Sequence, residues 1–216
     1  MKILITGFDP FGGETVNPSY LAVHQLPDKI AGAEQIKTQI PTEFYESARQ
    51  LQQEVKAHQP DIVLNIGQAG GRTALSFERV AINLDDARIP DNQGQQPLDQ
   101  KIQATGPAAY FTQVPIKSMA NAVRSQGIPA QISYSAGTFV CNHIMYQMHY
   151  LIETAYPNIK AGFIHVPFLS EQVVNQAHHP SMSLDTIVTG LTSAIKTLVE
   201  FDHTTKDIKT VEGTLH

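Results

Sequence analysis

The chain holds a single cysteine, Cys141, set in SAGTFVCNH between an apolar stretch that reads as a strand and a run with helical spacing. With Thr138 as the cap of that helix, Cys141 falls in its first turn, where free backbone N–H groups and the positive end of the helix dipole favour a thiolate. That prepares a nucleophile; a buried, inert thiol is the competing reading of a lone cysteine. His165, in GFIHVPF, sits in an apolar run just before Pro167. It reaches the carboxyl edge of a predicted central strand, either as a satisfied core residue or as a base. Glu78, in SFERVAINL, alternates in step with Val80, Ile82 and Leu84. A carboxylate on that apolar face needs a partner, either a histidine that it orients or a surface Arg or Lys. Thiol, imidazole and carboxylate together support a nucleophilic triad better than any one of them does alone.

Other constellations carry less. His143 and His149 follow Cys141 on the same helix and His178 and His179 are adjacent, but no H-E-x-x-H or similar ligand spacing occurs, so no metal site is expected. The loops GFDPFGG and GQAGGR match neither the G-x-G-x-x-G dinucleotide pattern nor a P-loop. Their backbone N–H groups remain suited to a small anion. Asp85, Asp86 and Asp91 read as a solvated acidic loop with Arg88 among its counterions rather than as a cation site.

These residues must be held by alternating strands and helices. Residues 2 to 6 predict a strand that ends at Gly7 and leads through GFDPFGG into a helix near Asn17-Pro18. Over 42 to 58, Phe44, Ala48, Leu51 and Val55 recur on one helical face between Pro41 and Pro60. Residues 61 to 66 and 77 to 84 predict strands, separated by the Gly-rich turn. Residues 85 to 114 are polar, with Pro90, Gly94, Pro97, Gly106 and Pro107, and without a sustained period they read as a lid, an arm or a partner-contacting excursion. Helices are expected over 117 to 125, from about Phe139, and over 183 to 199, with strands at 130 to 134 and 161 to 166. The polar tail after Phe201 is expected to fray. This alternation predicts one α/β domain over residues 1 to 216, with a mostly parallel sheet covered by helices on both faces and ligands at the carboxyl ends of the strands.

Composition narrows the partners. The 216 residues carry 15 Lys and Arg against 20 Asp and Glu, a net charge of −5, with no basic run, so neither nucleic acid nor an anionic membrane is an expected partner. One cysteine excludes an internal disulfide, the amino terminus lacks a signal-peptide apolar stretch, and no segment approaches the ~20 apolar residues of a membrane span. A cytoplasmic protein is expected. Charged residues make up 16%, which points weakly to surface hidden in an oligomer.

GQAGGRTALSFERVAIN at 67 to 83 and ISYSAGTFVCN at 132 to 142 closely resemble the two signature segments of the pyroglutamyl-peptidase I, or pyrrolidone-carboxylate peptidase, family. GFDPFGG and the strand with His165 resemble it too, so that the similarity runs in order over roughly residues 1 to 170. The resemblance implies a cysteine peptidase that removes an amino-terminal pyroglutamyl residue from peptides. Cys141 would be the nucleophile, His165 the general base and acid, and Glu78 the residue that orients the imidazole. It also implies an open three-layer α/β/α sandwich, no cofactor, a cytoplasmic location and a homotetramer. Within that chemistry the N–H of Cys141, with Arg88 as a second donor, is the expected oxyanion site. Phe8, Phe11 and Phe139 are expected walls of a lactam pocket, with ordinary core packing as their alternative, and the backbone of Gln68 is a partner for the lactam. A small-anion-binding module with an inert Cys141, or a phosphorylase-like transferase, remains the alternative.

Overall fold

The computed structural model describes residues 1–201 and 207–213. The opening apolar run forms β1 (Lys2–Phe8), buried at every position after the first, as a strand covered on both faces must be. Ile3 and Ile5 point into one core and Leu4 and Phe8 into the other. Parallel neighbours are β3 (Ala33–Ile40) on one side and β4 (Ile62–Gln68) on the other, and β4 pairs in parallel with β9 (Lys160–Val166). With β2 (Lys29–Ile30), β5 (Leu75–Glu78) and β8 (Ala130–Ser133), the sheet has the order β2-β3-β1-β4-β9-β5-β8.

Helices α1 (Pro18–Gln25), α3 (Ile116–Ser125) and α5 (Leu184–Phe201) cover one face through Val23, Met119, Val123, Leu191 and Ile195. On the other lie α2 (Glu46–His58) and α4 (Val140–Ala155), through Leu51, Val55, Ile144 and Met148. Each such side chain, fully buried, contributes about 1.5–3 kcal/mol, which is why the apolar spacing dictates which face each helix turns inward. The result is the expected three-layer α/β/α sandwich around a mostly parallel sheet. The short β2 has no sequence counterpart above, and neither does the longer β3, whose alternation Glu34, Lys37 and Gln39 hide.

Residues 77 to 84, read from sequence as one strand, form two. β5 ends at Glu78, and β6 (Val80–Ile82) pairs antiparallel with β7 (Ala109–Phe111) in a separate sheet. Arg79 is the joint, its N–H donating to Ser133 O and its C=O accepting from Thr112 N. The alternation that placed Glu78 on one face with Val80 and Ile82 therefore does not run through. The excursion over 85 to 114 is likewise stitched down. Asn83 bonds to Gln103 and Gly106, Asp85 and Gln100 exchange backbone bonds, and buried Asp91 accepts from the N–H groups of Phe44, Gln93 and Gln95. Polar side chains hold this segment, so apolar periodicity reads it as irregular.

The tail expected to fray does not do so over 207 to 213; residues 202 to 206 and 214 to 216 lie outside the described residues. Helix α3 follows Pro115, which offers no capping side chain. Asp207 supplies one from a distance, accepting from Lys117 N at 2.8 Å, Ser118 N at 2.9 Å and Ser118 Oγ at 2.7 Å. Glu212 takes both Nη groups of Arg124. Asp207→Ala is expected to cost about 1–2 kcal/mol, the range of a lost helix cap, read as a lower urea midpoint with turnover unchanged. An unchanged midpoint would show that the tail adds nothing.

Candidate active site

The carboxyl ends of β1, β4 and β9 meet at one edge of the sheet, the edge at which parallel α/β sheets hold ligands. His165 is the penultimate residue of β9, its ring 3% exposed, and Pro167 follows the strand. Beyond β9 the chain turns back: β5 runs antiparallel to it, with Ser76 opposite His165. Glu78 becomes the diagonal neighbour of His165 on the same face. Its Oε1 lies 2.7 Å from His165 Nδ1 and also accepts from Arg72 Nη1 at 2.6 Å. Arg72 Nη2 donates to Ser135 O at 3.0 Å. A fully buried carboxylate thus meets an imidazole and a guanidinium, the partners its desolvation demands. Residues 69 to 74 carry the chain over the end of β9, and Gly70 packs so close to the Phe168 ring that a Cβ there would lie 2.1 Å from it.

Helix α4 starts at Val140, with Phe139 in the capping position and no capping side chain. Thr138, expected as that cap, instead donates its hydroxyl to Asp86 O at 2.7 Å, tying the excursion to the helix start. Cys141, half-buried, occupies the first turn and borders the cavity. Beneath it Gly67 of β4 is the register partner of His165. A Cβ on Gly67 would lie 2.9 Å from Cys141 Sγ and 2.7 Å from Phe163 Cζ. Parallel register partners share a face about 4.8 Å apart, so the sulfur rests over β4 on the face that carries the imidazole, and both residues line the same cavity.

A cavity of about 240 Å³ opens on these groups. Phe8, Phe11 and Phe139 line it, with the Phe11 and Phe139 ring centroids 6.1 Å apart, and so does Gln68. Gln68 Oε1 accepts from Gln172 Nε2 at 3.1 Å. Arg88, the expected second oxyanion donor, is exposed on the excursion and is not among the residues that line this cavity. The arginine that does border it is Arg72. Thr42 and Asn17, on loops stitched together through Asp9, complete the polar part of the wall. Among the described residues no group of three or more His, Cys, Asp or Glu is placed to hold a metal ion.

The family model for pyroglutamyl peptidase matches residues 1–201. The chain belongs to the pyroglutamyl peptidase family. It is 57% identical to the pyrrolidone-carboxylate peptidase of Lactobacillus johnsonii over all 216 residues, covering 100% of each chain. To pyrrolidone-carboxylate peptidase 1 of Streptococcus pneumoniae it is 55% identical, again over 100% of both. Among solved structures it resembles pyroglutamyl peptidase I of Bacillus amyloliquefaciens, with a TM-score of 0.93 at 48% identity over 97% of this chain and 99% of that one. It also resembles pyrrolidone carboxyl peptidase of Thermococcus litoralis, with a TM-score of 0.91 at 37% identity over 97% and 98%.

In this pyroglutamyl peptidase family member, burial pushes the Cys141 thiol up to about 12, the Glu78 charge adding to the shift and Arg72 opposing it. Burial pushes His165 below its ordinary value against the opposing pull of Glu78. For Glu78 itself burial works upward, but the hydrogen bond with His165 and the neighbouring Arg72 guanidinium outweigh it and hold the carboxyl low. At rest the site is therefore a neutral thiol beside a neutral imidazole, which in turn adjoins an ionised carboxylate. The free thiolate expected from the helix start is outweighed by desolvation. The sequence reading passed over Arg72 and Gly67, although they are the last and first residues of the GQAGGR segment. The available sign was a cation six residues ahead of a carboxylate read as buried. Gly67→Ala must displace either the sulfur or the Phe163 ring, and turnover is expected to fall roughly 10- to 100-fold, since displacements of about 1 Å at a reacting atom cost on that order. Unaltered kcat in a correctly folded variant would place the sulfur elsewhere.

Proposed function

We propose that the chain is a cysteine peptidase that hydrolyses the bond after an amino-terminal pyroglutamyl residue, with Cys141 as nucleophile, His165 as general base and acid, and Glu78 orienting the imidazole. The observation that carries the reading is the 2.7 Å contact of His165 Nδ1 with Glu78 Oε1, made on the strand beside the glycine over which Cys141 Sγ rests. Nδ1 donates to the carboxylate, which leaves Nε2 unprotonated and able to take the thiol proton. The thiolate attacks the pyroglutamyl carbonyl, the tetrahedral oxyanion is met by first-turn N–H groups of α4, and the imidazolium protonates the departing amine. Water, deprotonated by His165, then hydrolyses the thioester.

The cavity suits a small neutral lactam. Its walls are aromatic, and no carboxylate lines it. The ammonium of an uncyclised glutamine or glutamate would lie there unpaired, at a cost on the order of several kcal/mol. Support for a homo-oligomer, a tetramer by the resemblance, lies in Leu98 and Phe111, 65% and 68% exposed, on the excursion and β7. Light scattering should give the mass of four chains, and a monomer at micromolar concentration would remove that reading. The lone cysteine favours the cytoplasm, and no described helix is long and apolar enough to cross a membrane.

The deciding assay is release of a chromogenic amine from its pyroglutamyl amide. A thiol alkylator should abolish it, a pyroglutamyl analogue should protect against the alkylator, and added phosphate should change nothing. Because His165 must be neutral and its pKa is lowered, kcat/KM should be full at neutral pH and decline only on the acid side of about 6.5. Alkylation of Cys141 that leaves turnover intact would overturn the reading.

A further inference from the structure

A second buried histidine–carboxylate pair stands little more than half a helical turn from the nucleophile. His143 lies two residues after Cys141, its side chain 0% exposed, with Nδ1 2.7 Å from Oδ2 of Asp85, itself 1% exposed. Its other nitrogen, Nε2, accepts the backbone N–H of Tyr45 at 3.3 Å. With Nε2 taken up as an acceptor, Nδ1 is the nitrogen placed to donate to Asp85 Oδ2. The Phe44 and Tyr45 rings meet it edge-on at 5.5 and 5.3 Å.

What this pair holds is a strained corner. Tyr45 has φ 60° and ψ −48°, and Glu46 N donates to Phe44 O at 2.6 Å, closing a γ-turn of the positive-φ kind that a non-glycine residue adopts only at a cost. The corner ends the segment 41 to 45. Within it Thr42 lines the cavity, and Phe44 packs edge-on at 5.3 Å against Phe139, which lines it too. The excursion is joined at the same place, since Asp85 belongs to it and Asp91 accepts from Phe44 N at 2.8 Å. His143 therefore ties together three segments: the pocket-wall loop, the excursion and the helix that carries the nucleophile.

We infer that His143 and Asp85 are positioning residues for the lactam pocket, holding Tyr45 in its strained turn so that Thr42, Phe44 and Phe139 keep the shape that binds substrate. They touch neither Glu78 nor His165, so their loss acts on substrate binding rather than on the reacting groups. The inference rests on the peptidase reading above, yet its readout includes binding alone. His143→Gln keeps an acceptor for Tyr45 N–H but loses the donor to Asp85 and the ring edges, whereas His143→Leu loses both hydrogen bonds.

The measurements are KM and kcat on a pyroglutamyl amide, the concentration of 2-pyrrolidone that protects Cys141 from a small neutral alkylator, and the alkylation rate without ligand. KM and the protecting concentration are expected to rise together, about threefold in His143→Gln and tenfold or more in His143→Leu, with kcat and the unprotected alkylation rate within twofold of the parent. Should the leucine variant fail to fold, the glutamine variant decides by the same readouts. Unchanged KM and protection in a folded variant, or a loss confined to kcat and alkylation, would overturn the inference. A parent protein inactive on the amide would sink the peptidase reading instead, and lactam protection would still test the pocket.

Discussion

Cys141→Ser and His165→Ala are each expected to lower kcat on a pyroglutamyl amide by roughly 10⁴-fold or more, the scale on which single members of such triads count. The size follows from the resting protonation. With the thiol pushed up to about 12 by burial, sulfur is a poor nucleophile until the imidazole takes its proton, so removing the base strands the thiol. Removing the sulfur in turn leaves the base with a hydroxyl, harder to ionise and seated over Gly67 in a space shaped for sulfur. The two act as a unit. The double variant should accordingly be little worse than either single one, and protection by a lactam should persist in His165→Ala because the aromatic walls are untouched. Losses that add on a logarithmic scale would mean that Cys141 and His165 act in separate steps.

Glu78→Gln is expected to cost about 10³-fold in kcat, leaving a small residual activity. The exchange is nearly isosteric, so it tests charge and hydrogen-bond polarity rather than volume. One oxygen of Glu78 receives both His165 Nδ1 and Arg72 Nη1. An amide cannot replace the charge that stabilises the imidazolium formed in the reaction, and an amide NH₂ facing Nδ1 would hold the wrong tautomer. The same variant makes a signed pH prediction. Glu78 raises the His165 pKa against the lowering by burial. Without that charge His165 is harder to protonate, and the acid limb of kcat/KM should move to lower pH even as the rate falls. Near-parental turnover, or a limb that moves upward, would remove the assigned role.

The sequence carried the reacting groups because their chemistry is local in kind. A thiol at a helix start, an imidazole before a strand-ending proline and a carboxylate in an apolar run each violate the usual division of polar and apolar positions, and such violations need no neighbour to be noticed. The layers were legible for a related reason, since Leu51, Val55, Ile144 and Met148 recur at helical spacing and the strand at 161 to 166 is apolar except at His165. Where polar side chains do the holding, the reading failed. Glu34, Lys37 and Gln39 concealed β3, and Asn83, Asp85 and Asp91 concealed the stitching of the excursion. Arg88 was expected as a second oxyanion donor, and the arginine that lines the cavity, Arg72, was passed over.

By itself, then, the sequence determined most of the element types and the layering of helices over a mostly parallel sheet, which follow from periodicity along the chain, while Cys141, His165 and Glu78 were proposed from their places in that pattern and from the family resemblance. The tertiary structure decided their meeting. It reversed β5 against β9 so that Glu78 lies diagonal to His165, brought Gly67 under the sulfur, and set burial against the helix start in fixing the charge of the thiol. Strand direction and depth of burial depend on contacts between segments far apart in the chain, and no local pattern encodes them.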